Sequence, residues 1–224
     1  MGESSQREQR ILDAAAELIE HYGYDKTTVD DIAREAGVSK GAIYLHFKSK
    51  EALFEALIMR DADTITERFF ELIDADPAGV TLFTIYRYAL VVLDDAPLLK
   101  AIYTSDRRIL GDWARHLRDL PAYAQGMNFS VDFIRYFQDA GLLRRDLDPE
   151  AVAYLLRALR YGLLTMDDIT PKGEAAPSIA DMGEALAEMV SRGLAPREDE
   201  GDPAAGRQAL EQLLERQRQI LQKK

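Results

Sequence analysis

The chain contains no cysteine, so a disulfide framework and thiolate metal or redox chemistry are excluded. It has only three histidines, at positions 21, 46 and 116, which leaves little for imidazole catalysis. Asp112 and His116 stand four apart, as two metal ligands on one helix face would, but two ligands without a third make no metal site. There is no glycine-rich phosphate loop and no nucleophile elbow, and most carboxylates fall at helix starts or on solvated faces, so an enzyme is not expected. No cofactor is expected either. An apolar run of about 18 residues, enough to span a bilayer, is missing, and the first residues, MGESSQREQR, lack an apolar signal core. Membrane insertion and secretion are therefore not expected, and a cytoplasmic location is. Strand-length alternation and internal repeats are also missing, which leaves an all-α chain. Positive charge is scarce too: 28 Lys and Arg against 39 Asp and Glu give a net charge of −11. A balance of that kind argues at first against a nucleic-acid partner.

Against these absences stands one dense segment, TTVDDIAREAGVSKGAIYLHFKSK, from Thr27 to Lys50. Thr28 fits the N-cap of a helix, with Asp31 three residues on where a capping-box acid belongs and Asp30 adding negative charge to the first turn. Gly37 is the residue best able to end that helix in a left-handed turn, and Ser39 offers a new N-cap for a second helix reaching about His46. Two short helices around a three-residue turn are the pattern of a helix-turn-helix. Val29, Ile32, Ala33, Ala36, Val38, Ile43 and Phe47 form its apolar inner set. Helical spacing then turns Lys40, Gly41, Tyr44 and Leu45 outward. A lysine, a glycine, a phenol and a leucine on one face suit a DNA groove: the lysine reaches phosphate or guanine, the phenol phosphate, and the leucine a thymine methyl. Ser49 caps the next helix, flanked by Lys48 and Lys50. From Ser39 to Lys50 there are three lysines and no acid. Residues 1–60 as a whole hold more acidic than basic side chains, so binding has to rest on this local face, which DNA feels within a Debye length of about 8–10 Å. Steep salt sensitivity and weak non-specific binding follow.

The segment resembles the tetracycline-repressor (TetR) family of bacterial transcription regulators. The likeness extends from Ile11 to Phe54 and rests on Thr27-Thr28, Ile32-Ala33, Glu35 to Ser39, Gly41 to Tyr44, His46-Phe47 and Lys48 to Leu53. It implies that Thr27 and Thr28 contact backbone phosphate, that Ser39, Lys40, Gly41, Tyr44, Leu45 and His46 lie in or beside the major groove, and that Lys48 and Lys50 anchor phosphate. It further implies a larger helical domain that binds a small inducer and alters the spacing of two DNA-reading heads.

The remaining chain reads as helices with explicit starts. Ser5 and Glu8 form a capping box before a first apolar face of Ile11, Leu12, Ala15, Leu18 and Ile19. A linking helix is expected over Lys50 to about Asp74. Further helices are expected from Asp76-Pro77 to about Asp94, from Pro97 to Tyr103, from Asp106 to Asp119, and from Gly126 to Ala140. Asp148-Pro149-Glu150 starts a helix through Leu164, and Ser178 with Asp181 starts another ending near Gly193. Pro196 to Gly206 is a polar linker, followed by a last helix with Leu210, Leu213, Leu214, Ile220 and Leu221 as an apolar stripe, expected to pack on its own ligand domain or across a dimer. The expected organisation is a helix-turn-helix DNA-binding domain over 1–49, a helical ligand-binding and dimerisation domain over 50–195, and the linker and tail helix over 196–224.

Helical bundles hold ligands between helices. Most of the aromatic residues fall between Phe69 and Phe137, and Phe83, Tyr86, Tyr103, Trp113, Phe133 and Phe137 are the candidate lining of a pocket for a small hydrophobic or aromatic effector; ordinary core packing is the competing account of each. Two reading heads about one DNA turn apart, roughly 34 Å, require a two-fold homodimer on a palindromic operator. The helices near Ala151 to Leu164 and Ile179 to Leu194 look like the family's self-pairing interface. Ala151, Ala153, Ala158, Gly162, Ala180, Gly183, Ala185 and Ala187 would allow close approach there, although alanine also reflects helix propensity. The leading expectation is a ligand-released transcriptional repressor. The alternative is a constitutive or co-regulatory DNA-binding protein whose larger domain binds another protein.

Overall fold

The computed structural model describes residues 3–117, 131–166 and 177–195, together with 207, 208, 211, 212 and 215. Every regular element among the described residues is a helix: α1 (Glu3–Tyr22), α2 (Val29–Glu35), α3 (Lys40–His46), α4 (Lys50–Ala75), α5 (Leu82–Asp94), α6 (Pro97–Thr104), α7 (Arg107–Leu110) and α8 (Trp113–Leu117). They are followed by α9 over 131–139, α10 (Pro149–Thr165) and α11 (Ile179–Leu194). The all-α expectation holds. No helix among the described residues is long and apolar enough to cross a membrane.

The chain divides into two compact units, one holding residues 1–67 and 96–117, the other 68–95 and 118–224. In the first, α1 packs on α2, α6 and α7, and α2 on α3. Ile11, Ala15 and Ile19 of α1, Ile32 of α2, Ile43 of α3 and Leu53 of α4 are fully buried. Burial of each large aliphatic side chain contributes about 1.5–3 kcal/mol, and this core fixes the pose of two helices too short to persist alone. In the second unit α11 lies along α5, with Gly183 beside Leu90 and the Arg87 carbonyl, and α10 meets α11. Phe133 and Phe137 stack at 4.3 Å between centroids.

Several boundaries depart from the sequence expectation. α1 begins at Glu3, ahead of Ser5, so Ser5 and Glu8 are helical residues and not a start. Asp76-Pro77 opens no helix: Asp76 accepts from the Ala78 and Gly79 amides in a turn, and Thr81 caps α5 in a reciprocal pair with Thr84. Gly79, with φ +61°, breaks the helical run that the Asp-Pro step suggests. The helix expected over Asp106 to Asp119 is interrupted at Gly111, where a Cβ would lie 2.1 Å from the Asp25 carboxylate. The interruption is thus a tertiary contact, which propensity does not reveal. Pro97, Asp148 and Ser178 start helices as expected, with Asp148 and Ser178 accepting from amides of the first turn. The Gly126 to Ala140 helix is seen over 131–139. Residues 196–206 and the stripe Leu210, Leu213, Leu214, Ile220 and Leu221 lie outside the described residues. The described tail residues are helical, and Arg207 places its guanidinium on Asp74 near the end of α4 while also bonding Glu211.

Candidate nucleic-acid interface

The helix-turn-helix forms from local signals that the structure satisfies one by one. Thr28 caps α2, accepting the Asp31 amide at 3.2 Å while its own amide donates to the Asp31 carboxylate. That carboxylate, on which the Thr28 hydroxyl and then Arg34 converge, is held below its ordinary range. The α2 C-terminus closes through the Gly37 amide on Arg34 and the Val38 amide on Ala33, with Gly37 at φ +64°, a left-handed conformation natural to glycine. Ser39 caps α3 by accepting the Ala42 amide at 3.1 Å. Val29, Ile32, Ala33, Ala36, Ile43 and Phe47 are buried as expected; Val38 is partly exposed.

The outer face of α3 is laid out as its spacing requires. Leu45 is 84% exposed and Tyr44 48% exposed, both large apolar groups with their surface in solvent. Gly41 is exposed, and a Cβ there would meet no atom nearer than the Ser39 hydroxyl at 3.9 Å. Packing within the protein does not demand a glycine at 41. Its bare backbone leaves room for a surface to approach α3 closely. Lys40 reaches across the turn to the Asp30 carboxylate at 2.8 Å, a bond that raises its pKa. His46 stands with Nδ1 at 3.7 Å from Glu8 of α1, and Lys48 is exposed.

Two of the ten expected DNA-contacting residues are turned into the protein. Thr27 is 2% exposed, and its hydroxyl donates to the carbonyls of Gly23 and Leu18 at 2.9 and 3.2 Å. Lys50 is half-buried: its ammonium donates to the Tyr24 carbonyl and sits 3.9 Å from the centre of the Tyr24 ring, and burial pulls its pKa down. Tyr24 in turn donates to Glu51 at 3.3 Å, and burial together with the Glu51 charge pushes the phenol far above its usual value. Sequence reading missed this brace. The sole hint was an aromatic two residues ahead of the Lys26-Thr27 step.

The brace extends through α7 and α8. The Tyr24 amide donates to the Ile109 carbonyl at 2.7 Å, and Asp25 accepts the Asp112 amide at 2.9 Å. Phe54 packs 4.7 Å from both the Tyr24 and the Trp113 rings, edge-on to the latter. Of the six candidate pocket residues, Trp113 and Tyr103 therefore belong to the first unit, with Trp113 buried in its core. Phe83, Tyr86, Phe133 and Phe137 belong to the second, where Phe133 and Phe137 are buried and Phe83 and Tyr86 partly exposed.

A second surface carries exposed apolar groups. On α10, Tyr154 is 67% and Leu155 60% exposed, with Leu159 and Tyr161 on the following turns, and Met189 is exposed on α11. The small residues divide: Ala153, Gly183 and Ala187 are buried within the protomer, while Ala151, Ala158, Ala180 and Ala185 are exposed.

Comparison with known proteins identifies the family. Residues 11–57 match the family described as bacterial regulatory proteins, tetR family. The chain is 31% identical over 164 residues to the HTH-type transcriptional repressor Rv1474c of Mycobacterium tuberculosis, across 70% of this chain and 80% of that protein. Among solved structures it resembles the transcriptional regulator FadR from Bacillus subtilis in complex with stearoyl-CoA, with a TM-score of 0.59, 23% identity, and coverage of 83% of this chain and 98% of that one. It also resembles AibR in complex with isovaleryl coenzyme A and operator DNA, with a TM-score of 0.57, 20% identity, and coverage of 82% and 97%. The protein belongs to the TetR family of bacterial transcriptional regulators.

Proposed function

We propose that the protein is a dimeric repressor that reads a palindromic operator with α3 and is released by a small hydrophobic or aromatic effector bound in its larger helical domain. The observation that carries the DNA-reading part is the outer face of α3. A helix whose inner side is locked by Ile43 and Phe47 presents Gly41, Tyr44 and Leu45 to solvent in a line that fits a groove. In this reading Leu45 and Lys40 read bases, Tyr44, Thr28 and Lys48 address phosphate, and Ser39, Gly41 and His46 lie against the duplex. Thr27 and Lys50 act from behind, by fixing the α1–α2 connection.

The exposed Tyr154, Leu155 and Leu159 support self-association through α10 and α11, because apolar groups in one contiguous stripe gain from being covered. Phe83, Tyr86, Phe133 and Phe137 support an effector of apolar or aromatic character. Release then requires the effector to favour the conformation with the wrong head spacing, since only differential affinity shifts a population.

The test begins with selection of duplexes from a random library by the wild-type protein. Tyr44→Phe is expected to weaken binding of the selected duplex about tenfold, the scale of one lost phosphate or base contact, with an unaltered unfolding temperature. Failure to enrich any duplex, or loss of folding in place of binding, would refute the assignment.

A further inference from the structure

The first turn of α2 holds two adjacent acids with different partners. Asp31 belongs to the capping box and to Arg34. Asp30 takes no part in the cap; its carboxylate crosses the turn to the Lys40 ammonium at 2.8 Å, linking the start of one helix of the motif to the start of the other. Both side chains are exposed, and Lys40 stands four residues before Tyr44 on α3, so the two share one face of that helix. An aspartate paired with a lysine of the DNA-facing helix is unfavourable for a phosphate arriving there, since both anions compete for one cation. Packing does not require it. An ion pair this exposed contributes little to folding.

Resting on the DNA-reading function proposed above, we infer that Asp30 is a specificity-determining residue: it occupies Lys40 in the free protein, so that only a duplex able to take the lysine over is bound well. A mixed-sequence duplex offers Lys40 phosphate alone and must displace a carboxylate already at hydrogen-bond distance. The selected duplex offers Lys40 a base edge as well, and more than offsets the exchange. Asp30 thereby lowers affinity for DNA in general more than affinity for the operator. It acts against the competing excess of non-operator sequence, which is the quantity that decides occupancy. The counterion release that Lys40 contributes to non-specific binding is suppressed for the same reason, because its charge is already matched by a fixed one.

The experiment measures binding of the full-length wild-type protein, Asp30→Asn, Lys40→Ala and the double variant to mixed-sequence duplex DNA and to the library-selected duplex, over a range of salt concentrations. Asp30→Asn is expected to tighten mixed-sequence binding about three- to tenfold at low salt, to steepen the dependence of log affinity on log salt by about one unit, and to tighten the selected duplex less. In the Lys40→Ala background the same change is expected to have little effect. Equal gains with and without Lys40 would show a general field of the carboxylate and overturn the proposal, as would an unchanged ratio of selected to mixed-sequence affinity. Those failures leave DNA reading intact. Failure of the wild-type protein to bind any duplex would sink the functional reading itself, and this inference with it. Unaltered thermal unfolding of Asp30→Asn keeps a binding change from being an effect on folding.

Discussion

The outer face of α3 and the brace behind it are built from neighbouring stretches of one motif, yet they treat polar chemistry in opposite ways. On α3, Tyr44 and Leu45 hold their surface in solvent. In the brace, Thr27, Tyr24, Glu51 and Lys50 direct their polar atoms at one another and at carbonyls of Leu18, Gly23 and Tyr24. A residue in a recognisable DNA-binding motif is therefore not by that fact a DNA contact. Some motif residues present their side chains to solvent, and others hold the ones that do, because a helix of seven residues has too little structure of its own to keep a fixed angle.

The comparison breaks most visibly at Phe54. Its ring joins Tyr24 to Trp113 and is fully buried, so Phe54→Ala is expected to cost about 3–5 kcal/mol in urea unfolding, through a cavity at the centre of the brace. A loss under 1 kcal/mol, on the order of a surface change, would mean that the aromatic contact carries little of the first unit's stability.

A smaller effect tests Lys50, the residue on which the two regions compete. Loss of the bond to the Tyr24 carbonyl in Lys50→Ala is expected to lower stability by about 1–2 kcal/mol and to leave the salt slope of DNA binding unchanged. A slope flattened by about one unit with stability intact would move Lys50 to the phosphate-facing group.

The smallest effect is at the α2 cap. Asp31 has its pKa lowered in the folded protein by the Thr28 hydroxyl and then Arg34, so its contribution is present above the unfolded value of 3.8 and is lost as pH falls through the folded one. Thermal unfolding followed from neutral pH down past that range should show a shallower decline in Asp31→Asn than in wild type. An identical acid limb in both would show that the capping carboxylate has no linkage to folding.

Four helix starts were legible because a cap is a local event: Thr28, Ser39, Asp148 and Ser178 each accept an amide two or three residues ahead. The Tyr44 and Leu45 exposure was legible for a similar reason, since four-residue spacing from Ile43 and Phe47 places them opposite the core. What was not legible involves partners far apart in the chain. Asp25 with Gly111 and Asp112, Tyr24 with Ile109, and Phe54 with Trp113 are pairings that no local pattern announces. For that reason Trp113 reads in sequence as a ligand-pocket aromatic, while in the structure it is a buried side chain of the reading-head unit. The break at Gly111, in a stretch that otherwise reads as one helix, has the same origin.

By itself the sequence determined an all-helical chain, the two short helices around Gly37, and which side of α3 faces outward, because capping, left-handed turns and helical periodicity act within a few residues. The tertiary structure alone decided which polar side chains of the motif remain available. Lys50 turned inward, Thr27 was buried, and Lys40 found Asp30 across the turn, because a charged or hydroxyl group takes whichever partner the packed helices bring within bonding distance.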